Sequence, residues 1–346
     1  MLTYVVRRIA LSIPVLLVAS IAVFFFVHQT SDPLARFSQV RDPNTRTNKA
    51  LALGIERKPC QTLHLDQPLT PGGTTEILKC NKTPVIRQYG HWLNGFVHAH
   101  MGVSFVNGRP VSALIRERFK NTLQLIFFGV VISAAVAIAI GVYSAVRQYS
   151  ALDYTFTGLS FVGLSMPAFW FGLISIQILS YQLKEWFHLS QPIFFSIGIH
   201  GSSGGLLDYF RHLALPVLTL TVQIIASWSR YQRSSMLDVM SADYIRTARA
   251  KGLSQRKVVG KHALRNALIP LMTVMAVDIG ALFGGLIITE KIFSWPGMGA
   301  LFIDSLENGD TNVLLAWLMV AAVFIILFNL LADVLYGTLD PRVRLS

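Results

Sequence analysis

The feature that most constrains this chain is a set of long apolar runs without charge. Ile9 to Val27 is nineteen residues with no charged side chain. At about 1.5 Å per residue, a helix of that length crosses the hydrocarbon of a bilayer, about 30 Å thick. Further charge-free runs cover Leu123 to Val146, Thr155 to Tyr181, Leu213 to Ser229 and Val313 to Ala332, and Ala267 to Thr289 is broken only by Asp278. Six such runs predict six transmembrane helices. Backbone in lipid must satisfy its own hydrogen bonds, so the expected class is an all-α integral membrane protein. Pro167 falls within the third run and Pro216 near the start of the fourth. Proline is tolerated there when neighbouring helices satisfy the freed groups. Composition agrees: 14% of residues are charged, against about 25% in soluble domains. The net charge of +12 is therefore read by location and not as a sign of nucleic-acid binding. The first run is too long for a signal-peptide core and no Ala-x-Ala site follows, so it is expected to be a retained helix.

Lys and Arg in the short connections set the orientation. With both termini in the cytoplasm, the inner segments hold fourteen: Arg7, Arg8, Arg147, nine between Arg230 and Arg265, Arg342 and Arg344. The short outer loops hold three, Lys184, Arg211 and Lys291. That bias predicts cytoplasmic N- and C-termini. Residues 1–28 are then the N-terminus and first helix, 29–120 an extracytoplasmic segment, and 121–346 the remaining five helices. Residues 31–90 are polar and rich in Pro, Thr and Asn, and are expected to be loop-like. Trp92, Leu93, Phe96 and Val97 form one apolar helical face; Val111, Leu114, Ile115 and Phe119, after Pro110, form a second. Both suit helices lying in the membrane interface, and a small outer domain burying these faces on itself is the alternative. Cys60 and Cys80 both fall in this outer segment. An oxidising compartment favours their pairing as a disulfide.

Few motifs for chemistry are present. There is no P-loop, no HExxH and no CxxC, so no signature for ATP binding or a catalytic metal is found. Gly201 to Gly205 fits Gly-x-Ser-x-Gly around Ser203, but it lies in a short loop between two membrane helices. A nucleophile elbow needs a strand before it and a helix after, so the motif reads as a flexible turn. His98 and His100 read as surface histidines, since no acid or cysteine lies close in sequence. Asp278 is different. An ionisable group at mid-membrane costs about 2.5–3.5 kcal/mol on insertion scales and usually faces a bundle interior or a water path. A place in a substrate path and a hydrogen bond to another helix both fit.

The stretch Asp243 to Pro270, DYIRTARAKGLSQRKVVGKHALRNALIP, is strongly basic yet lies between two apolar runs. Tyr244, Ile245 and Ala248 recur at helical spacing, with Arg246, Arg249 and Lys251 elsewhere around the helix. Gly252 is placed to end it in a left-handed conformation. Ser254 is placed to cap a second short helix. A solvated loop obeying charge bias and a docking element for a soluble partner both fit.

Residues 243 to 270 resemble the cytoplasmic loop of binding-protein-dependent ABC-transporter permeases. DYIRTARAKGL followed by KHALRNALIP is similar to the dipeptide/oligopeptide branch. The resemblance continues in TYVVRRI, RYQRSSMLDVM, EKIFSWPGMG and NLLADVLYGTLDPRVR, and weakens over residues 35–90. The general loop pattern begins Glu-Ala-Ala; Arg246, Thr247 and Ala248 stand there in this chain, as is common in the peptide branch. The resemblance implies a non-catalytic inner-membrane subunit forming half of a translocation path for di- or oligopeptides, with no cofactor of its own. It implies a second, related permease, two cytoplasmic subunits binding ATP and Mg, an external substrate-binding protein, and a coupling helix between the fourth and fifth membrane helices, within residues 237–265. Tyr244, Ala248 and Leu253 would then sit against an ATPase groove, Ile245 would share that helix, and Arg246, Arg249 and Lys251 would pair with acidic groups at its rim around Gly252. The near alternative is the same architecture carrying nickel, glutathione or an opine. A proton-driven transporter using Asp278 is the distant one.

Overall fold

The computed structural model describes residues 2–30, 43–52, 55–64, 76–200 and 204–339. The chain divides into two compact units. The larger comprises Met1–Pro14, Arg116–Ile303 and Ala321–Ser346; the smaller comprises Val15–Ile115 and Asp304–Val320. In chain order the elements are α1 (Leu2–Thr30), α2 (Pro43–Ala52), β1 (Glu56–His64), β2 (Glu76–Lys82), α3 (Val85–Val97), α4 (Val111–Val146), α5 (Ala151–Ser165) and α6 (Ala168–Ser175). A π-helical turn then leads into α7 (Leu183–Trp186), followed by α8 (Leu206–Met240), α9 (Asp243–Ala250) and α10 (Gln255–Lys257). A second π turn joins α10 to α11 (Leu264–Gly285), and α12 (Ile287–Ile292), α13 (Met298–Glu307) and α14 (Thr311–Leu339) complete the chain.

Among the described residues five helical stretches are long and apolar enough to cross a membrane: Val6–Thr30, Val111–Val146, Leu206–Met240, Gln255–Gly284 and Thr311–Leu335. The remaining run expected as one helix is instead a pair, Ala151–Ser165 and Ala168–Trp186, bent by 103°. The cause is Pro167. Proline has no N–H to donate and bars the preceding residue from the helical region. Met166 is accordingly extended, with φ −80° and ψ 126°. Its carbonyl accepts a 2.7 Å hydrogen bond from Gln223 Nε2 on α8, so the broken backbone is satisfied from a neighbouring helix. Pro216 and Pro270 remain inside α8 and α11.

In the larger unit α8 packs against α5, α6 and α11. Ile224 and Trp228 of α8 meet Ala137 of α4 and Leu271 and Met275 of α11 in one buried cluster. Arg233 of α8 makes a bidentate pair with Asp153 at the start of α5, at 2.8 and 2.9 Å. Tyr149 N donates to the same carboxylate at 3.0 Å. With 3% of its side chain exposed, Asp153 is held by donors on both sides, which a buried charge requires.

The smaller unit corrects one expectation. Residues expected to be loop-like form α2 and an antiparallel hairpin of β1 and β2, which the otherwise mostly helical chain carries ahead of α3. Cys60 and Cys80 face each other across the hairpin and are joined. Of the two amphipathic stretches, the first forms α3 and the second opens α4. Tyr89, Trp92 and Leu93 of α3 pack on Phe24 and Val27 of α1 and on Leu315 of α14, and Ser20 and Tyr89 share a 2.7 Å hydrogen bond. Val111, Leu114 and Ile115 are buried in the opening turns of α4 itself. In the larger unit, the Phe119 ring of the same helix meets Phe283 at a tilt and Phe324 edge-on, at 5.4 and 5.8 Å between centroids.

Candidate functional site

The basic stretch folds as a knob rooted in the larger unit. Asp243 opens α9, where a carboxylate favours the positive end of the helix dipole. The helix ends at Gly252, whose φ is +78°. Gly252 N donates to Arg249 O at 2.9 Å and Leu253 N to Ala248 O at 3.4 Å. This pair of bonds around a left-handed glycine is a Schellman closure. No separate capped second helix follows: the Ser254 side chain makes no cap, and α10 runs through its π turn into α11 as one span.

The two faces of α9 differ sharply. Ile245 is wholly buried and Ala248 is 8% exposed. Both join a cluster with Ala145 of α4, Met236 of α8, and Val258, Ala263 and Ala267 on the way into α11. Ala248, expected at a partner's groove, instead faces this chain's own core, because the apolar stripe of so short a helix is consumed by its anchor. Tyr244, Arg246, Arg249, Lys251, Gly252 and Leu253 are exposed. Tyr244 Oη accepts from Asn266 Nδ2 at 2.8 Å, fixing its ring against the start of α11. Arg246 faces Asp243 at 3.7 Å on the surface, a pair too exposed to hold it strongly.

Asp278 lies on α11, half-buried. Its Oδ2 accepts a 2.7 Å hydrogen bond from Trp228 Nε1 on α8. Trp228 is fully buried, so a polar tie joins the two helices next to their apolar cluster.

Sequence reading passed over Glu290. It is fully buried on α12. Thr122 Oγ1 donates to Oε1 at 2.6 Å and Ala300 N donates to Oε2 at 3.1 Å. Thr122 Oγ1 in turn accepts from Met298 N at 2.7 Å. The carboxyl group thus fastens the start of α13 to α4. A Cβ on Gly297 would fall 2.3 Å from Glu290 Cδ, and one on Gly299 would fall 2.4 Å from Ile287 Cα. The Pro-Gly-Met-Gly run is the space this buried carboxyl needs, and an acid just before such a run was the signal to look for. Burial pushes the Glu290 carboxyl up to about 7, against the opposing hydrogen bonds of Thr122, Ala300 and Gly299. Among the described residues no group of three His, Cys, Asp or Glu side chains is arranged to hold a metal. Residues 201–203 of the Gly/Ser motif lie outside the described residues.

Residues 137–345 match the family described as the binding-protein-dependent transport system inner membrane component. The chain belongs to this family. It is a multi-pass inner-membrane permease subunit and is not itself catalytic. It is 37% identical to the oligopeptide transport system permease protein AppB of Bacillus subtilis, over 99% of this chain and 100% of that one. It is 34% identical to the dipeptide transport system permease protein DppB of Escherichia coli K12, over 99% of each chain. It is 36% identical to the glutathione transport system permease protein GsiC of the same strain, again over 99% of each. Among solved structures it resembles an inward-facing form of the MetNI methionine ABC transporter, with a TM-score of 0.52, 16% identity, and cover of 66% of this chain and 96% of that one. That likeness shows the fold. The permease region matched to the family contains α9, Asp278 and Glu290, whereas the hairpin and α3 precede it.

Proposed function

We propose that this permease forms one half of a translocation path for short peptides, driven by ATP hydrolysed on cytoplasmic partners that dock on α9. The names of its relatives support the substrate: oligopeptides, dipeptides and glutathione, itself a tripeptide. A second, related permease completes the path, two ATP-binding subunits with Mg sit below it, and an external binding protein delivers peptide. The termini lie in the cytoplasm. The Lys and Arg bias supports this, and it puts the exposed cations of α9 on the ATPase side.

The observation that carries the proposal is the division of α9 into two faces. Ile245 and Ala248 are locked into a cluster shared with α4, α8 and α11, while Tyr244, Arg246, Arg249, Lys251 and Leu253 are free to meet a partner. A displacement applied to the exposed face therefore reaches three membrane helices as a rigid-body shift. Asp278 is assigned to the path. Trp228 fixes one of its oxygens, and the half-exposed carboxylate supplies a charge for a peptide's amino end. Asp278→Asn keeps an acceptor for Trp228 and removes the charge, so it should lower uptake with folded yield intact. For the whole proposal the test is ATP-driven peptide uptake by the reconstituted transporter. Gly252→Pro, which cannot adopt φ +78°, should abolish uptake and substrate-stimulated ATPase activity while membrane insertion persists; normal uptake by that variant would overturn the docking role.

A further inference from the structure

The smaller unit contains a cleft of about 780 Å³, within the range of sites that hold small ligands. It lies outside the candidate site around α9, Asp278 and Glu290. Its floor is apolar, built from Phe24 of α1, Trp92 of α3 and Leu315 of α14. Phe24 and Trp92 meet at 5.5 Å between ring centroids, so the floor is fixed by the same cluster that seats α3. Its rim is cationic and hydrogen-bonding: Arg57 from β1, and Arg87, His91 and His98 around α3. Neither guanidinium has a hydrogen bond or ion pair among the described residues, and both arginines are exposed. Among the described residues Glu56 is the one acid lining the cleft, and its Oε2 is buried and has no hydrogen-bond partner among them, a state that costs free energy.

We propose that this cleft is a second peptide site, taking a short zwitterionic peptide with an apolar C-terminal side chain. The chemistry is matched at three points. A free carboxylate pairs with Arg57 and Arg87, guanidinium being suited to bidentate recognition. A free ammonium pairs with the carboxylate of Glu56 on the cleft's lining. An aromatic or aliphatic side chain covers Phe24 and Trp92, where stacking adds to burial. The site rests on the peptide reading of the transporter, and on the orientation that puts the smaller unit's cleft on the outer side. It would hold a peptide at the permease apart from the path through the membrane.

The test is calorimetric titration of the full-length chain in lipid nanodiscs with alanyl-phenylalanine, its N-acetyl form and its C-terminal amide. The free dipeptide should bind saturably, and each capped form should bind about tenfold or more weakly, the loss expected for one charge-assisted contact. The double variant Arg57→Gln/Arg87→Gln should bind acid and amide alike. Glu56→Gln should bind free and acetylated peptide alike while still preferring the acid. Arg57 and Arg87 are exposed and Glu56 is half-buried, and elution at the parent's volume checks that each variant is folded. Absence of binding, equal binding of all three ligands by the parent, or undiminished discrimination in the variants would overturn the site. The transport reading fails differently: binding in the cleft with no ATP-driven uptake by the reconstituted transporter overturns that reading alone, and uptake with no cleft binding overturns this inference alone.

Discussion

Two interruptions between membrane helices are held by opposite means. Between α8 and α11, the α9 knob is short, carries its charges outward, and is anchored by two apolar side chains inserted among three membrane helices. Between α1 and α4, the intervening segment is held by a disulfide, a hairpin and an aromatic cluster on α3. The difference follows from what each can bury. A helix of eight residues has one apolar stripe, and spending it on the membrane helices makes the knob move with them. A segment of eighty residues has enough local surface to form its own unit, and cross-links then substitute for a large core. One arrangement suits transmitting a displacement; the other suits presenting a surface.

Introducing a charge at the anchor should break the comparison most severely. Ile245→Asp places an unpaired carboxylate where exposure is zero, and should cost about 4 kcal/mol or more, seen as lost folded yield in detergent. Ile245→Val, which keeps the apolar contact, should cost only about 1 kcal/mol. A well-folded Ile245→Asp permease would show that the knob is not rooted as described.

The smaller unit should respond to its staple instead. Replacing both cysteines by serine opens a loop with a sequence separation of 20, worth about 3 kcal/mol in the chain-entropy model. Proteolysis within residues 43–97 should quicken, while ATPase stimulation through α9 should be unchanged. Loss of coupling in that variant would erase the distinction between the two regions.

Glu290 sharpens the contrast through pH. Its folded carboxyl titrates near 7 against an ordinary value of 4.5. Below 4.5 the group is neutral in both states and adds no pH dependence. Between 4.5 and 7 the unfolded chain binds fewer protons than the folded one, so stability falls as pH rises, and above 7 the fall levels off. The full drop is about 3 kcal/mol. Thermal melts of Glu290→Gln against the parent across pH 4 to 8 should show this slope only in the parent. At the small end, Gly252→Ala should cost about 1–2 kcal/mol, from left-handed backbone alone, since nothing lies within 4 Å of an added Cβ. A larger loss would mean that the knob packs more tightly than it does here.

Much of the fold was legible because its signal is length and the absence of charge. Five of the expected spans are unbroken helices. The third was not legible as a broken helix: Pro167 looks the same in the sequence whether a helix bends or stops, and Gln223, 56 residues on, supplies the partner for the freed Met166 carbonyl. The hairpin was hidden because ERKPCQTLH and EILKCNK lack a regular apolar alternation, and Pro59 argues against a strand. It is the pairing of Cys60 with Cys80 that brings them together. On α9, periodicity gave the apolar face but not what covers it. Ile245 and Ala248 could equally have met a partner, and only the positions of Met236, Val258 and Ala267 decide otherwise. Asp278 stood out as a charge in an apolar run, whereas Trp228, its donor, sits 50 residues away on another helix. Glu290 escaped because it lies just beyond an apolar run, where an acid reads as solvated.

On the proposed reading α9 meets the ATPase with one face and the membrane helices with the other. Thiol cross-linking in the assembled transporter tests it most directly, because Cys60 and Cys80 are the native cysteines and are joined to each other. Arg246→Cys and Ala248→Cys each add one reactive thiol on opposite faces of α9. The account requires the Arg246→Cys variant to cross-link to the ATPase subunit and the Ala248→Cys variant, if it assembles, to stay unlinked. Cross-linking through Ala248→Cys with none through Arg246→Cys would contradict it, and would return the apolar face of α9 to the partner.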